Sequence, residues 1–316
     1  MSAIVNVVLP VFAIILVGYL SGKARLLGPA SSEALNKFVY WIALPPLLFL
    51  AMAAASLDEI LHWPFIGAFL GSILAVWALA ALLGAIVHRA RPAILTMQGM
   101  NASFSNTGYM GIPLFVAAFG EAGLPPATLA TVIMSAVSVG IAVVCLELSG
   151  SERQGLGHAL KDVVLALAKN PLVVSSIAGI AWSEAGWPIP TPFVTLFQLL
   201  GASASPCALF AIGLFLASRP LAADLAEVTW ISFLKLIWQP LICWALIVAF
   251  FPMEPFWAAS AILLAALPTG ALTFVVAQQY EVYVERTSAV ILVSTIISVV
   301  TLSVLLAIYA PAFPNI

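Results

Sequence analysis

The stretch Gln98–Gly120, QGMNASFSNTGYMGIPLFVAAFG, limits what this chain can fold into more than any other. It lies between apolar runs long enough to sit in a bilayer. Yet within about four helical turns it carries Asn101, Ser103, Ser105, Asn106, Thr107, Gly108, Gly111 and Pro113. Pro113 lacks an N–H and crowds the carbonyl of Tyr109, while Gly108 and Gly111 permit backbone angles that other residues resist. A helix break is expected here. In hydrocarbon, the unpaired carbonyls and N–H groups of a break need protein, water or a solute as partner, and such breaks form the binding sites of many transporters. The plainer alternative is that these small polar residues only let helices pack closely and bond across an interface. Breakers and polar residues falling together, with a counterpart later in the chain, favour a site.

Composition sets the solvent. Hydrophobic residues make up 63% of the 316, charged residues 8%, and mean hydropathy is +1.15. Soluble domains carry about 25% charged residues, so this reads as an integral membrane protein. Cys145, Cys207 and Cys243 lie in apolar segments without metal-binding spacing and read as small core residues. The first residues have no basic region before a long apolar run, which predicts a retained helix and not a cleaved signal.

Apolar runs predict helices near 3–22, 34–55, 64–87, 93–119, 127–148, 160–182, 192–218, 226–251, 255–279 and 285–310, about ten spans joined by short loops. Alternating the loops between two sides separates the charges. Lys23, Arg25, Lys37, Arg89, Arg91, Arg153, Lys161, Lys169, Arg219, Lys235 and Arg286 all fall in or beside loops after odd-numbered helices. The opposite loops carry Asp58, Glu59, Glu121, Glu184 and Glu254. Basic residues gather on the cytoplasmic side, so both termini are expected outside the cytoplasmic membrane.

The chain also resembles itself at a nearly constant offset of about 160 residues. Pro10 and Gly18 match Pro171 and Gly179; Pro45, Leu48 and Phe49 match Pro206, Leu209 and Phe210. Ile112, Leu114 and Val116 meet Leu272, Phe274 and Val276, and Thr128, Ala130 and Ser135 meet Thr287, Ala289 and Ser294. Residues 1–155 and 156–316 therefore read as two five-helix repeats, and an odd helix number makes them inverted. The counterpart of the first break is Leu267–Phe274, where Pro268 and Gly270 can break the ninth helix and Thr269 and Thr273 supply hydroxyls. The expected fold is an all-α membrane protein with broken fourth and ninth helices; if the two breaks cross, four half-helix ends meet at the midplane.

At these residues the chain resembles the auxin efflux carrier family, which includes the plant PIN-FORMED carriers and bacterial organic-acid carriers. The likeness rests on Asn106-Thr107 with Met110-Gly111-Ile112-Pro113-Leu114, on Asn170-Pro171, on Leu209 to Ala217, and on Ala266-Leu267-Pro268-Thr269-Gly270. It covers essentially the whole chain. The resemblance implies a scaffold from helices one, two, six and seven, a moving transport domain from the rest, a homodimer, and elevator-like movement of organic anions. Thr273 stands where plant members have a second crossover proline, and the central loop is far shorter than in the long plant carriers.

For binding, the sequence nominates Asn101, Ser103, Ser105, Asn106, Thr107, Thr269, Gly270 and Thr273, with Asn106 and Asn101 in the lead. Gly108, Gly111, Pro113 and Pro268 would shape the breaks. Gln278 and Gln279 lie near the cytoplasmic end and carry less weight. No Asp or Glu falls deep in a predicted span, which favours an anion held by helix N-termini over carboxylate-bound sodium or protons. Potential-driven export without a coupling ion is then expected, with sodium- or proton-coupled transport as the alternative. Lys235, two turns into the eighth helix, reads first as a side chain snorkelling to the surface and second as an attractor of anions. His62, His88 and His158 fall in or beside loops and read as solvated. No nucleophile–base pair or HExxH motif suggests an enzyme. A channel is disfavoured by the repeat. No cofactor, metal or nucleic-acid partner is expected; the bilayer and a small organic anion are.

Overall fold

The computed structural model describes residues 9–54, 61–87, 89–149, 161, 164, 165, 167–218 and 224–309. Asp58, Glu59, His88, Arg153, His158, Arg219 and the repeat junction at 155/156 lie outside the described residues. Within them the chain is helical, with no strand. The helices are α1 Leu9–Lys23, α2 Pro29–Ala54, α3 Trp63–Val87 and α4 Pro92–Ser103. Next come α5 over 107–119, α6 over 124–149, α7 Pro171–Ala185, α8 Thr191–Ala217 and α9 Leu225–Ala249. The last are α10 Pro255–Ala265, α11 Leu272–Gln279 and α12 Val284–Tyr309. Of the expected spans, the second begins earlier, at Pro29. The fourth and ninth are each divided, into α4 with α5 and α10 with α11.

Among the described residues six helical stretches are long and apolar enough to cross a membrane, and α1 and α10 are shorter apolar helices. One stretch, Thr107–Ser149, is too long for a single crossing and folds back on itself. At its bend Gly120 adopts φ +60, which suits glycine, and Gly123 then packs on the backbone of Phe115. This makes α5 and α6 a helical hairpin. Exposed apolar side chains form stripes that suit lipid, among them Leu74, Leu82 and Ile86 on α3 and Val300, Val304 and Ile308 on α12.

Packing falls into two groups. α1 lies along α8, and α2 along α7 and α8; α3 packs on α4 and α9, which in turn meets α10 and α12. Glycines let the first group approach backbone to backbone. A Cβ on Gly18 would collide with the Phe210 carbonyl of α8, and one on Gly179 would fall 2.5 Å from the Phe49 carbonyl of α2. In the second group, Phe65 contacts Trp257 and Phe119 contacts Phe256 edge to face, with centroids 5.4 Å apart in each pair. These contacts tie α3 and α5 to the start of α10.

Four helices contain a π-helical turn: Val39–Ala43, Thr107–Gly111, Met134–Ser138 and Leu234–Trp238. Three of them stand just before a proline, namely Pro45, Pro113 and Pro240. A helical proline presses on the carbonyl four residues back, here that of Trp41, Tyr109 or Leu236, each inside its π turn. The widened turn relieves that contact. Pro206 in α8 is accommodated without one.

Candidate functional site: two broken helices joined by a short bridge

The first break is the extended segment Phe104–Asn106. Ser105 pairs antiparallel with Thr269 of the second break. The Asn106 N–H donates to the Pro268 carbonyl at 2.9 Å, and the Gly270 N–H donates to the Phe104 carbonyl at 3.0 Å. Each break thus satisfies backbone groups that the other exposes, as a buried membrane segment requires. Asn106, at φ −76 and ψ 58, forms an inverse γ-turn closed by Thr107 N–H to Ser105 O at 2.8 Å. Its own carbonyl then accepts from both Met110 N–H and Gly111 N–H, opening the π turn of α5.

The break lies upstream of the residues expected to cause it. Gly108 and Gly111 are in the π turn, and Pro113 is in the first α-helical turn after it. They shape the start of α5. In the second break, Pro268 and Gly270 do lie in the extended segment, while Thr273 sits in α11 and bonds back to the Gly270 carbonyl at 2.8 Å.

Two side chains of α9 cover the carbonyl ends. Gln239 Nε2 donates to Ser103 O, the last residue of α4, at 2.9 Å; Lys235 Nζ donates to Ala265 O, the last residue of α10, at 2.7 Å. Both side chains are fully buried. Lys235 therefore does not snorkel: the π turn Leu234–Trp238 aims it inward, and the open end of α10 holds it. The amino ends are treated differently. The N–H groups of Gly108 and Tyr109 on α5, and of Ala271 and Leu272 at α11, have no hydrogen-bond partner among the described residues. All four residues are only half-buried. Gly270 packs against the Asn106 backbone, so the two amino ends meet at one junction. Each end behaves as roughly half a positive charge.

Asn106 lines this junction, 4% exposed, with no hydrogen bond from its side chain among the described residues. Thr107 is beside it at the head of α5, also buried. Three other nominated residues bond within the protein. Asn101 Nδ2 donates to Met97 O and to Thr287 Oγ1, both at 2.9 Å; Thr269 Oγ1 donates to Asn101 O at 2.8 Å; and Thr269 N–H donates to Ser294 Oγ at 3.1 Å. Ser103 Oγ bonds back to Gly99 O at 2.8 Å. Asn101 Oδ1 and Ser105 Oγ are buried without a partner. Gln278 and Gln279 are exposed at the far end of α11.

Sequence reasoning missed a buried carboxylate. Glu227, near the start of α9, is 2% exposed, accepts from Gln98 Nε2, and pairs with Arg286 at 2.5 Å. Arg286 also reaches Asp224 at 3.3 Å. With Ala90 and Ile94 these four residues line a cavity of about 210 Å³. Both of its carboxylates share Arg286, which fits a strut joining α4, α9 and α12. Outside the spans, burial lowers the pKa of His62, which stacks on Trp257 with centroids 4.3 Å apart and is no free surface side chain. Among the described residues no group of His, Cys, Asp and Glu could hold a metal.

An all-helical, multi-pass membrane protein with two interrupted helices paired in its interior belongs to the class of membrane transporters. Comparison with known proteins agrees. Residues 3–306 match the model of the family described as "Membrane transport protein". A protein of Rhizobium meliloti (strain 1021) named "Putative malonate transporter" is 35% identical over 308 residues, covering 97% of this chain and 96% of the relative. The "Uncharacterized transporter YfdV" of Escherichia coli (strain K12) is 26% identical over 305 residues, covering 93% of each chain. An "Uncharacterized transporter" of Methanothermobacter thermautotrophicus is 26% identical over the same length. The chain belongs to this membrane transport family, the auxin efflux carriers, and is a transporter and not an enzyme.

Proposed function

We propose that the protein is a secondary transporter of a small organic anion, a carboxylate of the malonate type, across the cytoplasmic membrane. One observation carries this reading: α9 side chains cap both carbonyl ends of the breaks, while the N–H groups of both amino ends stay unpaired beside the unpartnered Asn106 amide. Such a junction offers N–H donors and positive potential, the complement of a carboxylate. Asn106, Thr107 and Gly270 are the contact residues, and Asn101, Ser103, Ser105, Thr269 and Thr273 hold them in place. The name of the Rhizobium meliloti relative supports the substrate class.

Transport proceeds by an elevator-type motion of α3–α6 and α9–α12 against a scaffold of α1, α2, α7 and α8, in a homodimer whose termini face outside the cytoplasm. Two features support the inverted repeat behind this reading. Gly18 packs on the Phe210 carbonyl and Gly179 on the Phe49 carbonyl, so residues matched by the internal repeat exchange equivalent contacts. Most of the packing also lies within the same two groups of helices, with α5 and α6 reaching across to α8, α2 and α7. Near the paired breaks no described carboxylate supplies an ion site, so an inside-negative membrane drives export, by about 2.3 kcal/mol per unit charge per 100 mV.

Proteoliposomes loaded with malonate test this, with potassium and valinomycin setting the potential in sodium-free buffer at equal pH. Efflux should follow the potential and vanish in a folded Asn106→Ala protein. Efflux indifferent to voltage, or present only with sodium or a pH gradient, rejects the uniport reading. Unchanged efflux in Asn106→Ala rejects the site.

A further inference from the structure

Lys235 and Gln239 stand one turn apart on α9 and do the same geometric task, each donating to the last carbonyl of a half-helix. At the first break a neutral amide suffices. At the second, the chain buries a lysine side chain at 0% exposure, with no carboxylate in ion-pair distance among the described residues. Burying an unpaired charge is expensive, so capping alone does not account for a lysine there. Ala265 is three residues before Pro268, whose carbonyl meets Asn106. Chain reach therefore puts the ammonium on the order of 10 Å from the crossing.

We propose that Lys235 selects the charge of the substrate: its ammonium adds a full positive charge to the two helix amino ends and finds its counter-ion only when an anion occupies the junction. This rests on the carrier reading and deepens it, because it makes binding grow with each negative charge on the substrate. Lys235 is a positioning residue of the field and need not touch the substrate. At such a separation and a typical effective dielectric, each substrate charge gains about tenfold in affinity.

The test compares malonate with its monomethyl ester, one negative charge fewer, by thermal-shift titration of the purified carrier at a pH where both are fully ionised. The wild type should favour malonate. In Lys235→Gln the ratio of the two affinities should fall about tenfold, Lys235→Arg should keep it, and Gln239→Lys should raise it by a similar factor. The ratio is read within one folded protein, so general destabilisation does not mimic the effect. If both ligands weaken equally in Lys235→Gln, Lys235 is only a cap and the proposal fails. Should that protein not fold, an unchanged ratio in Gln239→Lys is equally fatal. A folded wild type that binds neither ligand defeats the carrier reading and this one with it.

Discussion

The two breaks solve one problem with different parts. At the first, the chain leaves α4, turns sharply at Asn106 and re-enters a helix through a π turn, with Gln239 on its carbonyl end. At the second, Pro268 and Gly270 sit inside the extended segment, α11 starts without a π turn, and Lys235 caps the carbonyl end. The first break brings the free amide; the second brings the charge and the framework hydroxyls of Thr269 and Thr273. Equal geometry with unequal chemistry gives the crossing one neutral cap and one lysine cap.

Because the breaks hold each other, the most damaging change should be one that separates them. A Cβ on Gly270 would lie 2.8 Å from Cδ1 of Phe104 and 3.2 Å from the Asn106 Cα. The ring can swing, but the backbone cannot give without lengthening the Asn106–Pro268 and Gly270–Phe104 bonds. Overpacking of this kind costs about 1–3 kcal/mol. Gly270→Ala should therefore lower the unfolding temperature and abolish malonate efflux, while an active carrier of normal stability would show that the bridge tolerates spreading.

A smaller effect is expected of Thr269→Val, which keeps the shape but removes the Oγ1 donor to Asn101 O. The loss is that of one buried hydrogen bond, about 1 kcal/mol. Stability should fall by that amount in chemical denaturation while malonate affinity stays within a few-fold of wild type. A large selective loss of binding would instead make Thr269 a contact residue and shift polar recognition toward the second break.

These contrasts also mark how much the sequence disclosed. Long apolar runs made the helices legible, because only a helix can bury so many consecutive apolar residues with its backbone paired inside lipid. The paired breaks were legible as two clusters of Gly, Pro and hydroxyl residues. Where the first one opens was not, since Phe104–Asn106 contains neither glycine nor proline and is extended only because Pro268–Gly270 pairs with it. Lys235 was misread for a related reason. A lysine near a helix end usually reaches for the surface, and only the π turn and the bare end of α10 turn it inward. The spacing of Lys235 and Gln239, four apart in an apolar helix before Pro240, was the signal available.

Pro113 gives the sharpest test of how the first break arises. If the proline opened the helix, Pro113→Ala would close it and join α4 to α5. The structure locates the cause elsewhere: Pro113 follows the π turn Thr107–Gly111 and presses on the Tyr109 carbonyl inside it, while the extended segment ends at Asn106 and is held by hydrogen bonds to Pro268 and Gly270. Alanine would let that turn tighten toward an ordinary α-helix. The Gly108 and Tyr109 N–H groups would then be re-aimed, weakening malonate binding by about tenfold at most, the worth of one hydrogen bond. Hydrogen exchange at residues 104–106 should be unchanged, because their partners are on the other break. Slowed exchange there, together with loss of efflux, would mean that α4 and α5 had fused and that the proline, and not the pairing of the two breaks, keeps them apart.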